Sequence, residues 1–149
     1  MLDALNEAVP FAKHLRIAIT EMAPTGARAV LPNDDFLTNH IGTQHAGALF
    51  TLAESASGAA LVAACVDLLA IAQPVVRNAH IEYRRAARGV IVARARLSEP
   101  ADDVREAFAR DGRADLEVTV LLIDEDEAEV ATASFEWSFR SPKAAALAA

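Results

Sequence analysis

Apolar positions recur along this chain at two intervals, and the change between them divides it into elements. Leu15, Ile17 and Ile19 alternate with Arg16, Ala18 and Thr20, the period of a half-buried strand. Pro24-Thr25-Gly26 is a turn signal and Ala27 to Leu31 a second short strand, so the pair reads as a hairpin, ended by Pro32-Asn33-Asp34-Asp35. Four further alternating segments lie beyond residue 74. Val75, Ala79, Ile81 and Tyr83 alternate with Val76, Asn78, His80, Glu82 and Arg84, and Ile91, Ala93, Ala95 and Leu97 with Val90, Val92, Arg94 and Arg96. Leu116, Val118, Val120 and Leu122 stand opposite Glu117 and Thr119, and Ala131, Ala133, Phe135, Trp137 and Phe139 opposite Thr132, Ser134, Glu136 and Ser138. Turns at Ala86–Gly89 and Asp124–Glu127 join the outer pairs; Pro100 to Gly112 is an insertion with a helix from Asp102 to Arg110. Residues 2–13 predict a short helix ended or bent near Pro10, and the tail 142–149 is expected to fray.

Between the hairpin and these strands the period changes. The loop from Asn33 to Gln44 leads into a long helix of small apolar residues that must stop before Pro74. From Ala46 to Val66 its one charged residue is Glu54. A helix apolar on nearly every face is normally buried. A carboxylate in its middle costs several kcal/mol if ionised without partners, so Glu54 lies at an opening or is functional. The order is two strands, the helix, then four strands. One face of an antiparallel sheet must be covered, and one long helix is available to cover it. The expected fold is therefore α+β: a single hotdog domain over 1–149, with a curved antiparallel sheet of about six strands, core about 15–140, wrapped around the central helix.

Composition narrows the function. A net charge of −7 and a pI of about 5.0 argue against broad nucleic-acid binding. The positive charge is concentrated in Arg77, Arg84, Arg85, Arg88, Arg94 and Arg96. Cys65 is alone, which fits a reducing, cytoplasmic setting. The N-terminal residues lack the pattern of a signal peptide. The central helix carries Glu54, and Asp67 follows it; rich in Ala, Gly and Ser, it is a poor membrane span, so no membrane partner is expected.

In the central stretch the residues resemble a known family. Asn39, Gly42, His45, Gly47, Leu52 and Glu54 are similar to the signature of hotdog acyl-CoA thioesterases of the phenylacetate-pathway (PaaI-like) type: an Asn, a His-Gly-Gly opening the helix, and an acid nine residues after that His. The resemblance implies hydrolysis of an acyl-CoA thioester to free acid and CoA. Glu54 would be the general base for water, and the Ala46 N–H, beside Gly47, would polarise the carbonyl at the helix N-terminus. Asn39 would position water or carbonyl, and His45 would hold the loop by hydrogen bonding. Gly42 and Val76 would lie along the substrate, and Arg84, Arg85 and Arg88 would meet the CoA phosphates. Ala46 replaces the family's first Gly, and Val76 stands where many relatives carry a Ser or Thr. No cofactor is implied beyond CoA as part of the substrate.

Two other readings are open at this level. His40 precedes Glu54 by fourteen residues, a spacing similar to hotdog dehydratases and hydratases, although Ile41-Gly42-Thr43 replaces their Phe-Pro-Gly. A non-catalytic acyl-CoA-binding module is the other. His40, His45, His80 and Glu54 lack the HExxH or Cys-pair spacing of a zinc site, so no metal is expected. The sheet has two edges to shield or pair, so a homodimer, or a dimer of dimers, is expected.

Overall fold

The computed structural model describes residues 1–141; the tail expected to fray lies outside the described residues. Its elements are α1 (Leu2–Ala8), α2 (Pro10–His14), β1 (Ala18–Ala23), β2 (Gly26–Leu31), α3 (Ala46–Ala64), β3 (Gln73–Tyr83), β4 (Ile91–Leu97), α4 (Ala101–Asp111), β5 (Arg113–Ile123) and β6 (Glu129–Arg140). Single 3₁₀ turns lie at Asp35–Leu37 and Leu68–Ala70. The six strands form one antiparallel sheet in the order β1-β2-β4-β5-β6-β3. The expected hotdog architecture is present.

Alternation gives the sheet one apolar face, and α3 lies against it. Ala29, Leu31, Ile91, Ala93, Val118, Leu122, Phe135 and Phe139 are sealed beneath Leu52, Ala53, Ala56, Ala60 and Leu61 of the helix. The many alanines let helix and sheet approach closely. α3 packs chiefly on β1, β2, β4 and β5 and only lightly on β6, so the β6–β3 wing reaches past it. α3 has the length and apolarity to cross a membrane, but here it is the core helix.

Residues 2–14 form two helices divided near Pro10, where the sequence predicts an end or bend, because Val9, preceding Pro10, is extended (φ −112°). The structure corrects two local expectations. The first strand begins at Ala18 instead of Leu15, since Leu15 caps α2 and Arg16 takes a left-handed φ of 57°. On β3 the register shifts between Val76 and Asn78, leaving Arg77 as the extra residue of a bulge. The bulge reverses the alternation. Val76, not Val75, shares the helix-facing side with Ala79, Ile81 and Tyr83, opposite Trp137, Phe135, Ala133 and Ala131.

α4 closes the C-terminal end of α3. Arg105 donates to the Ala64 carbonyl at 2.7 Å and pairs with Asp67 at 3.0 Å. That hydrogen bond holds the Asp67 carboxyl below its ordinary range. The two sheet edges differ. On β1 the Asn6 carboxamide imitates a neighbouring strand, donating to the Ile19 carbonyl (3.1 Å) and accepting from the Ile19 N–H (2.8 Å). On β3, eleven residues long, no element covers the outer edge among the described residues, and Val75 and Tyr83 are about half exposed.

Candidate active site

The loop before α3 is shaped by Asn39. Its Oδ1 accepts from the Ile41 and Thr43 N–H groups, both at 3.1 Å, and its Nδ2 donates to the Thr43 hydroxyl at 2.8 Å. The Asx-type turn this makes passes through Gly42, whose left-handed φ of 71° suits glycine. The carboxamide oxygen is thus fully engaged, and one Nδ2 hydrogen has no partner among the described residues.

His45 is the N-cap of α3. Its Nδ1 accepts from the Gly47 N–H at 2.9 Å, so the ring is held as the acceptor the cap requires. A Cβ on residue 47 would lie 3.1 Å from that nitrogen, which explains glycine there. The Ala46 N–H has no partner among the described residues and stands at the positive end of the helix.

Four hydrogen bonds knit this helix end and its loop to the end of β3 and the arginine-rich turn after it. The Tyr83 hydroxyl donates to the Ala46 carbonyl at 2.9 Å. The Gln44 N–H donates to the Ala87 carbonyl and its Nε2 to the Gly89 carbonyl, both at 2.9 Å, and Arg88 reaches the Gly42 carbonyl at 3.4 Å. The arginines are not equivalent. Arg84 is ion-paired with Glu82 (3.0 Å) and Glu129 (2.7 Å). Among the described residues, Arg85 and Arg88 form no ion pair.

Glu54 lies elsewhere. It projects from mid-helix into a cavity of about 150 Å³ whose other walls are almost wholly apolar. Its carboxylate, half-buried, has no hydrogen bond or ion pair among the described residues. Burial raises its pKa above the ordinary carboxylate value. The turn that carries it is fixed from beneath: the Trp137 indole N–H donates to Ser57 Oγ at 3.1 Å, and Ser57 donates to the Glu54 carbonyl at 2.7 Å.

The structure therefore brings Asn39, Gly42, His45, Ala46 and Gly47 together with Arg88, and sets Glu54 apart, roughly 12 Å along the axis from Ala46 at 1.5 Å per residue. His45 and Gly47 border a different hollow, with Phe11, Phe36 and Thr51. Val76 is partly exposed beside Trp137 but does not line the Glu54 cavity, where Pro74 does. His40 is exposed and is not in that cavity either. Among the described residues, no three His, Cys, Asp or Glu side chains gather as metal ligands.

Tyr83, Gln44, Ser57 and the α1 residues of the cavity belong to no motif in the sequence. The one signal for Tyr83 was a lone tyrosine ending an apolar strand face beside an arginine cluster.

Residues 1–139 match a family model described as a domain of unknown function, DUF4442. This chain belongs to the DUF4442 family. A search of curated proteins finds no significant match for this DUF4442 protein. Among solved structures it is similar to a protein of unknown function from Pseudomonas aeruginosa described as a probable thioesterase, at 29% identity and a TM-score of 0.84, covering 94% of this chain and 93% of that one. A thioesterase family protein from Silicibacter pomeroyi matches at 20% identity and TM-score 0.76, over 94% and 96% of the two chains. A thioesterase from Haemophilus influenzae matches at 19% and 0.77, over 95% and 91%. The last two likenesses speak to the hotdog fold alone. The resemblance to the phenylacetate-pathway type rests on the motif.

Proposed function

We propose that this DUF4442 protein is a thioester hydrolase acting on an acyl-CoA. The observation that carries the reading is Glu54: one carboxylate, without a partner among the described residues and raised in pKa, in the wall of an apolar cavity. A structural carboxylate is normally paired when buried. A general base with a raised pKa sits closer to neutral pH and takes a proton more effectively.

The chemistry runs in two steps. Glu54 removes a proton from water as its oxygen bonds to the thioester carbonyl carbon. The oxyanion that forms is stabilised by the free Ala46 N–H and the positive helix end. The carbonyl then re-forms, the carbon–sulfur bond breaks, and the proton held by Glu54 passes to the departing sulfur, so CoA leaves as the thiol and the carboxylate is restored. Arg85 and Arg88, without ion pairs among the described residues, bind the CoA phosphates; His45 keeps the helix end in place.

One chain supplies the base and the oxyanion donor too far apart, since water and carbonyl must lie about 3–3.5 Å from each other. The uncovered β3 edge supports a remedy: β3 pairs with β3 of a second copy about a two-fold axis, bringing Glu54 of one protomer to the helix end of the other. A dimer of dimers is compatible with the same edge. The unpaired, buried Cys65 fits a cytoplasmic setting.

Release of CoA thiol from a panel of acyl-CoAs tests the activity. Wild type is expected to turn over at least one of them, and Glu54→Gln to lower kcat by about 10²–10⁴ with little change in KM. Undiminished turnover in Glu54→Gln would remove the carboxylate from the chemistry.

A further inference from the structure

The N-terminal helices form part of the wall of the cavity beside Glu54. Leu5 and Val9 come from α1 and the residue after it, Ala12 from α2, and Gly58, Val62 and Trp137 from the core. We infer that this is the acyl pocket and that α1–α2 make it selective for compact, unsubstituted apolar acyl groups, such as benzoyl or a branched chain of about four to six carbons. The inference rests on the thioesterase reading for the identity of the ligand, and on the cavity itself for its size and chemistry.

Three observations carry it. The first is volume. An apolar protein cavity of about 150 Å³ accommodates a benzene ring, and this one measures about 150 Å³. A long acyl chain exceeds that volume.

The second is polarity. Glu54 and Ser55 stand together on one turn of α3, at one side of the cavity. Asn6, the remaining polar residue of the wall, has both ends of its carboxamide engaged by the Ile19 backbone. A reacting carbonyl is therefore served at the Glu54 side, while a hydroxyl on the distal part of the acyl group meets hydrocarbon and loses its hydration unrepaid. The Asn6 clamp also fixes α1 against β1, making the α1 wall part of the framework.

The third is Gly58. Glycine weakens a helix interior. A Cβ at this position would meet Trp137 at 3.5 Å, an ordinary contact, so packing does not require glycine. What the missing methyl does is keep that part of the cavity open, one turn beyond Glu54.

The experiment pairs turnover with binding. For turnover, kcat/KM is measured on acetyl-, butyryl-, isovaleryl-, benzoyl-, decanoyl- and palmitoyl-CoA. Wild type should favour isovaleryl and benzoyl by about tenfold or more over acetyl and palmitoyl, as expected of one or two methylenes gained or excluded. Gly58→Ala should reduce benzoyl turnover about tenfold more than acetyl turnover, and Leu5→Ala should move the optimum towards decanoyl. A wild-type optimum at decanoyl or palmitoyl, or equal losses on benzoyl and acetyl in Gly58→Ala, would overturn the assignment. For binding, toluene is titrated into the intact protein and the methyl resonances of Leu5 and Val9 are followed by NMR. Saturable shifts, weakened in Gly58→Ala, support the pocket even where no acyl-CoA is hydrolysed, an outcome that sinks only the thioesterase reading. Absence of toluene binding would overturn the pocket whatever the turnover.

Discussion

The Tyr83 hydroxyl donates to the Ala46 carbonyl at 2.9 Å, tying the last residue of an edge strand to the first residue of the central helix. The bond links the two features on which the proposed dimer depends, the open edge of β3 and the free N–H of Ala46. Burial raises the Tyr83 pKa, so the phenol remains a donor through neutral pH. Tyr83→Phe removes the donor and leaves the ring. Because the residue is half exposed, the loss of stability should be small, about 0.5–1 kcal/mol. The fall in kcat/KM should be larger than that loss explains, since a helix end displaced by a fraction of an ångström stabilises the oxyanion poorly. Thermal unfolding and turnover measured on the same preparation check both halves.

Of the three arginines near the helix end, Arg84 already has two carboxylate partners, whereas Arg85 and Arg88 have none among the described residues. Arg85→Ala with Arg88→Ala should raise KM for an acyl-CoA about tenfold or more at low salt and leave kcat nearly unchanged, the pattern of lost uniform binding. Arg84→Ala should change KM far less. Added salt should narrow the gap between wild type and the double variant. An unchanged KM in the double variant would place the phosphates elsewhere.

Glu54 links stability to pH in a definite direction. Its folded pKa is raised by burial, so the folded state holds the proton more tightly than the unfolded chain does. The resulting stabilisation is fully present below the unfolded carboxylate value of about 4.3 and is lost as pH rises through the raised folded value. Above that window the ionised side chain burdens the fold. Glu54→Gln should therefore have the higher Tm at pH 7.5, with the two proteins converging near pH 4. A wild type more stable than the variant at pH 7.5 would mean that Glu54 has found a partner.

Much of the architecture was legible because burial writes itself into the spacing of apolar residues. The six strands, the α4 insertion and the Ala-rich helix could all be read from period 2 against period 3.6. What could not be read depends on backbone detail with no apolar signature. The bulge at Arg77 reverses a face that simple alternation assigns to Val75, and the left-handed turn at Arg16 delays a strand that alternation starts at Leu15. Glu54 stood out as a lone charge in an apolar run. The pairing of Arg84 with Glu129, forty-five positions along the chain, and the engagement of the Asn39 carboxamide by its own loop follow from tertiary geometry. So does the role of α1 as a cavity wall, since Leu5 and Val9 look like any short amphipathic segment.

The central claim is that Glu54 of one protomer works with the helix end of another. Glu54→Gln and Asn39→Ala damage the two halves separately, the base and the loop that presents the Ala46 N–H. Each variant alone should be nearly inactive. After mixing and verified subunit exchange, about half of the dimers carry one variant of each kind, and each of these holds one intact site in two. The account predicts recovery to about a quarter of the wild-type rate per chain. A mixture no more active than its components, with exchange demonstrated, would contradict it.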